Sequence, residues 1–152
     1  MLPETNTNIR ANKYQYLQES VHYHVQCSRK IIQNLKPKSI NPALKDKLCQ
    51  IWQVESAWFA CIRCVPHPYR HDSQFLSEEI LNSWAQLSNQ FSAYVWSLNE
   101  SRMNEMVHVY IPGVLDFYIP RFNLIQICID HSKIHHEQLS KLLVNPVSDF
   151  KY

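Results

Sequence analysis

The sequence predicts an all-α protein, a single-domain bundle of about four main helices plus one short helix bracketed by prolines. Three observations carry that expectation. Among 152 residues there is one glycine, Gly113, whereas sheet proteins use glycine for hairpin turns and bulges and helix interiors exclude it. Apolar residues recur at three- and four-residue steps over long segments, the period of an amphipathic helix. Prolines fall between those segments, where their missing amide hydrogen does least harm. Hydrophobic residues at 45% and charged residues at 18% belong to a folding chain and not a disordered one. A chain of this length buries roughly 68–70% of its unfolded surface, enough for a core of its own. One domain over 1–152 follows, with 1–7 and 145–152 as loose ends.

The first helix is expected from about Asn8 to Leu35. Ile9, Tyr16, Leu17, Val21, Val25, Ile32 and Leu35 form its stripe, and Pro37 stops it by restricting Lys36. The second opens on Asn41-Pro42, a cap followed by a proline at the first helical position. Leu44, Leu48, Ile51, Trp52, Phe59 and Ile62 make its apolar face, Trp58 widens it, and Pro66 and Pro68 end it. A third runs from Gln74 or Ser77 to Leu98, with Ser77 as cap and Glu78 and Glu79 in the first turn. Ile80, Trp84, Leu87, Phe91, Tyr94, Val95 and Leu98 line it, and Trp52, Trp58 and Trp84 are assigned to the core. After a polar connection from Asn99 to Asn104, Val107, Val109 and Ile111 alternate in the manner of a strand. Pro112 and Pro120 are read instead as bracketing the short helix PGVLDFYI. The last helix spans about Pro120 to Leu143, with Phe122, Ile125, Ile129, Ile134, Leu139 and Leu142 inward.

Charge is distributed unevenly. Net charge is +2 overall, but residues 1–70 carry ten Lys or Arg and four acids, and residues 71–152 carry five and nine. The cations concentrate at the turn between the first two helices, SRKIIQNLKPKSINPALKDK. Arg29, Lys30, Lys36, Lys38, Lys45 and Lys47 face one acid there, Asp46. Such crowding is self-repulsive and is relieved by an anion, so this elbow is the expected contact for a polyanion. Arg10, Lys13, Arg63 and Arg70 are further cations on the same half. Tyr14, Tyr16, Tyr23 and Tyr69 lie among them, where exposed rings can stack on unpaired bases, although aromatics on amphipathic helices more often pack inward.

Five cysteines, at 27, 49, 61, 64 and 128, have neither an even count nor framework spacing, which fits a reducing, cytoplasmic location. The polar start MLPETNTNIR lacks the apolar region of a signal peptide, and no apolar run approaches the ~18 residues of a membrane span. Cys61, Cys64, His67 and His71 match zinc-ligand spacing in halves, but the halves stand too close for a finger. Inert cysteines and no bound metal are therefore expected there. His131 and His135 stand four apart without the glutamate of a zinc-protease motif. His22 and His24 point to different faces, and both sets are expected to titrate ordinarily. With one glycine there is no phosphate loop and no nucleophile elbow, so neither a cofactor nor enzyme activity is expected.

A compact, glycine-poor helical chain with a basic corner and an acidic remainder, carrying HVYIPGVLDFYIPRF from His108 to Phe122, resembles the small subunits of CRISPR effector complexes. It is also similar to the helical C-terminal region of some Cascade large subunits. That resemblance implies a non-catalytic bundle stacked in copies beside larger effector subunits and guide RNA, holding DNA strands through backbone contacts. The strand-facing residues it implies are the six elbow cations, with Arg10, Lys13, Arg63 and Arg70 beyond them. Its modest net charge suits a subunit that binds weakly alone and acts by avidity in an assembly. The competing expectation is a helical protein-interaction module such as an immunity protein or antitoxin.

Overall fold

The computed structural model describes residues 2–36, 40–67 and 76–144, with side chains over 13–36, 40–67 and 76–143. Four long helices carry the fold: α1 (Leu2–Asn34), α2 (Pro42–Arg63), α3 (Ser77–Ser97) and α5 (Arg121–Val144). Between α3 and α5 lie a short helix, α4 (Glu100–Asn104), and the strands β1 (Met106–Ile111) and β2 (Leu115–Pro120). Helix α1 packs on α3 and α5, and α2 packs on the same two. The four rods therefore form a square in which α1 and α2, consecutive in sequence, stand on a diagonal.

Local chemistry sets the element ends. Asn41 caps α2 by accepting from the Leu44 amide at 2.8 Å, ahead of Pro42, as the sequence predicts. Helix α3 begins differently: Leu76 is the capping residue and makes no side-chain cap bond, and Ser77 is already helical. Helix α1 starts at Leu2 and not near Asn8. Pro3 falls in its first turn, where a missing amide hydrogen leaves no bond unmade, and no breaker follows for thirty-odd residues.

The short proline-bracketed helix is not formed. Residues 106–120 make an antiparallel hairpin with Val109 opposite Phe117 and Ile111 opposite Leu115. Its turn has Pro112 then Gly113 at φ +74°, closed by the Val114 amide on the Ile111 carbonyl at 2.9 Å. That is a type II turn, whose third position requires the positive φ only glycine adopts readily. Val107 and Val109 are buried and Leu115, Phe117 and Ile119 pack beside them, whereas His108, Tyr110 and Tyr118 face out. The period of two, and not the flanking prolines, decided the structure here.

Buried apolar residues fall into two clusters. One, towards the hairpin, joins Leu17, Val21, Val25, Phe59, Ile62, Phe91, Val95, Ile125 and Ile129. The other, towards the α1–α2 turn, joins Leu35, Leu44, Leu48, Ile51, Ile80, Trp84 and Leu139. Trp84 is buried while Trp52 and Trp58 sit half-buried at seams. Tyr16, Ile134 and Leu142, expected inside, are exposed, because the interior line of α1 and α5 passes through polar residues instead.

Candidate functional site

Between the two apolar clusters the bundle carries a polar layer drawn from all four long helices. It comprises His24 and Ser28 of α1, Glu55 and Ser56 of α2, Ser88 of α3, and Ser132, His135 and His136 of α5. Each occupies a position that continues its helix's apolar stripe, so the backbone aims it inward. The imidazoles of His24 and His136 stack in parallel, with centroids 4.5 Å apart. One donor atom each from His24, Glu55 and His136 lies within 4.8 Å of the other two.

Hydrogen bonds orient these groups without satisfying them all. Trp84 Nε1 donates to Glu55 Oε2 at 2.9 Å. The Ser28 hydroxyl donates to the His24 carbonyl at 3.3 Å and meets His136 Nε2 at 3.0 Å. With its own proton used, Ser28 accepts from Nε2–H, and that tautomer leaves His136 Nδ1 with a lone pair. His24 Nδ1 and Glu55 Oε1 are buried with no partner among the described residues. Each such group costs about 1–3 kcal/mol if left unmatched. Beside His24 and Glu55 is a void of about 20 Å³, closed by Ser88, Cys128, Ser132 and the apolar Val25, Phe59, Leu87 and Phe91 but not lined by His136, with room for one water molecule or one ion.

Burial sets the ionisation of this layer. It lowers His24 to about 3, helped by the charges of His136 and Lys133, and lowers His136 to about 4, helped by His135. Burial pushes the Glu55 carboxyl up to about 7, opposed by the hydrogen bond from Trp84 and by the nearby Ser132 hydroxyl. The Cys128 thiol is pushed well up by burial and then by Glu55, so it stays protonated. At neutral pH both stacked imidazoles are neutral. This corrects the expectation of ordinary surface histidines, since His24, His135 and His136 are all buried.

The layer opens outward between α1 and α5. A groove of about 620 Å³ has His24 and His136 in its floor, Cys27 and Ile31 in its wall, and three cations, Lys30, Lys133 and Lys141, with one acid, Glu137, along its rim. Tyr23 lines the same groove and is 67% exposed. The volume falls in the range of ordinary ligand sites, about 300–1,000 Å³. Apolar walls under a rim that stays net positive, three lysines against Glu137, fit a ligand with a flat apolar body and an anionic edge.

The cations expected to form one elbow are divided among three seams. Arg29 turns to α3, giving Nε and Nη2 to Asn89 Oδ1 at 3.2 and 2.6 Å. Lys30 faces the α1/α5 groove. Lys45 and Lys47 are half-buried, and the Lys47 charge acts on His135 across the α2/α5 seam. Lys36 is exposed at the turn. Lys13 stands 3.8 Å over the Phe122 ring and Arg63 4.0 Å over that of Phe59. Lys38, Arg70, His71 and the side chain of Arg10 lie outside the described residues. Of the sulfur-histidine set, Cys61 is half-buried, and Cys64 and His67 are exposed. Cys64 ends α2 in a left-handed conformation at φ 59° with Arg121 Nη2 3.7 Å from its sulfur.

Two groups of residues were missed by sequence reasoning. Lys133 and Lys141 belong to the acidic half, and only the packing of α5 on α1 brings them to Lys30. His24, Glu55 and His136 did leave a signal: each interrupts an otherwise apolar stripe roughly two-thirds of the way along its helix. Three interruptions at one level of a bundle mark a shared interior site. No protein-family model matches this chain, and neither does any curated protein.

Proposed function

We propose that this protein is a non-catalytic binding subunit that holds a single nucleic-acid strand by sequence-tolerant contacts. The observation that carries the reading is the α1/α5 groove, with Lys30, Lys133 and Lys141 outnumbering Glu137 at its rim and the exposed ring of Tyr23 at its side. Ammonium groups meet phosphates while a ring and apolar walls receive bases, the combination that single-strand binders use. Lys36, Lys45 and Lys47 extend the positive surface beyond the groove, so the elbow becomes an approach and not the seat. Service beside larger subunits and guide RNA in a CRISPR-type effector belongs to the same proposal and rests on the resemblance alone.

Fluorescence anisotropy with a labelled oligonucleotide tests it. Three phosphate contacts on a single strand give a log–log salt slope of roughly −2. Lys30→Glu, Lys133→Glu and Lys141→Glu together abolish binding, and Lys36→Glu, Lys45→Glu and Lys47→Glu together weaken it. Equal binding by the wild type and both triple variants overturns the reading.

A second reading, a protein-interaction module of the immunity-protein or antitoxin kind, is favoured by the outer face of the hairpin. Met106, Tyr110 and Tyr118 are each more than half exposed there, and His108 stacks on Tyr118 at 4.5 Å. Recovery of one stoichiometric protein from nuclease-treated cell extract, lost on Tyr118→Glu and insensitive to salt, selects that reading over strand binding.

A further inference from the structure

We propose that His24, Glu55 and His136 bind one divalent transition-metal ion of the zinc class in the middle of the bundle. Metal binding in this layer does not depend on strand binding in the groove. Two imidazole nitrogens and one carboxylate oxygen form the three-ligand set that zinc takes when a fourth position is left to water. The three donors come from α1, α2 and α5, so one ion ties together three helices that no disulfide joins. Sites of this kind in helical bundles are built from inward side chains on facing helices.

Independent observations point to a ligand here. His24 Nδ1 and Glu55 Oε1 are buried and unpartnered among the described residues, and the void of about 20 Å³ beside these two, which His136 does not line, admits one ion or one water. The supporting contacts are those a metal site needs: Ser28 fixes the ring of His136, and Trp84 holds the other carboxylate oxygen of Glu55. A donor spread of up to 4.8 Å exceeds that around a bound ion, with ligand bonds of about 2.0–2.2 Å. Modest rotation of Glu55 and His24 therefore accompanies loading. The ion reaches the layer from the groove, whose floor contains both histidines. Lys133 opposes it, being close enough to lower the proton affinity of His24, and the Glu55 carboxylate offsets that charge. An ion takes neutral imidazoles and an ionised carboxylate, so affinity rises with pH.

The experiment uses full-length protein purified without a polyhistidine tag, stripped with chelator and titrated with Zn²⁺ or Co²⁺. The wild type is expected to take up about one equivalent, with Co²⁺ giving tetrahedral visible bands and no thiolate charge-transfer absorption. A hundredfold excess over Kd raises Tm by roughly 5–10 °C. Glu55→Gln and His24→Asn each weaken binding at least about tenfold, while Cys61→Ser with Cys64→Ser leaves it unchanged. Should either interior variant fail to fold, the Co²⁺ spectrum and Tm shift of the wild type still decide. Absence of uptake by the wild type means the void holds water and overturns the proposal. So does uptake unaffected in both interior variants, or uptake with a thiolate signature lost in the cysteine variant.

Discussion

Replacing Glu55 with glutamine in metal-free protein should stabilise it, by an amount that depends on pH. Glu55 is the acid most affected by its surroundings, raised from 4.5 to about 7 chiefly by burial. The folded protein holds this proton more tightly than the unfolded chain does. The cost of burying the carboxyl is therefore absent well below pH 4.5, grows as pH rises, and levels off above about pH 7. At about 1.36 kcal/mol per pH unit, the penalty is about 1 kcal/mol near pH 5 and about 3 kcal/mol near pH 8. Glutamine keeps the neutral shape: its carbonyl can take the Trp84 donor, and its amide can donate to the vacant His24 Nδ1. Urea unfolding at the two pH values reads the difference directly, since ΔΔG compares variant with wild type at each. A gain that widens by about 2 kcal/mol from pH 5 to pH 8 is expected. The same ΔΔG at both values, of either sign, would refute the claim that Glu55 is buried at the cost of its ionisation.

The stacked histidines work in the opposite sense. His24 and His136, lowered to about 3 and about 4, contribute stability that is complete above about pH 6.5 and is lost as pH falls towards 4. Lys133 and His135 face them and add to the penalty for protonation. Two protons taken by these histidines in the unfolded chain, less one taken by Glu55, give a net loss of at least about 1.4 kcal/mol per pH unit between pH 6 and 5, and about twice that in Glu55→Gln. His135, also lowered by burial, steepens both. Chemical denaturation across this range checks both slopes, and a flat profile contradicts the burial of the pair. Arg121→Met should destabilise by about 3–5 kcal/mol. The buried guanidinium donates to the Ile62 carbonyl at 2.9 Å and the Arg102 carbonyl at 2.7 Å, joining the end of α2 to α4 and α5. Thermal and urea unfolding measure that loss. Asn41→Ala, which removes the cap on the Leu44 amide, should cost about 1 kcal/mol and lower Tm by about 2–4 °C.

Helix number, order and most of the core were legible because they follow from local signals. Asn41-Pro42 announced α2, and the stripes of Leu44, Leu48, Ile51, Phe59 and Ile62 chose its inward face, where all five are buried. The hairpin was legible too, in Val107-x-Val109 and in Pro112-Gly113. A scarcity of glycine was weighed as a global argument, although a single glycine at a type II turn is all that one hairpin requires. The site was less legible for a different reason. An apolar stripe was sought by its apolar members, so Tyr16 and Ile134 were drawn inward while His24, Ser28, Ser132 and His136 were passed over. The elbow, by contrast, is crowded only in sequence. Arg29 and Lys30 diverge because successive helical residues point about 100° apart, and Lys47 is separated from both because α1 and α2 stand on a diagonal with α5 and α3 between them, a relation that no local signal carries.

The groove between α1 and α5 is the centre of this account, and backbone amide chemical-shift mapping with a short single-stranded oligonucleotide tests it most directly. Perturbations confined to 23–31 and 133–141, vanishing at high salt, are the predicted result. Shifts centred on 36–47, on the outer face of the hairpin, or nowhere would contradict it.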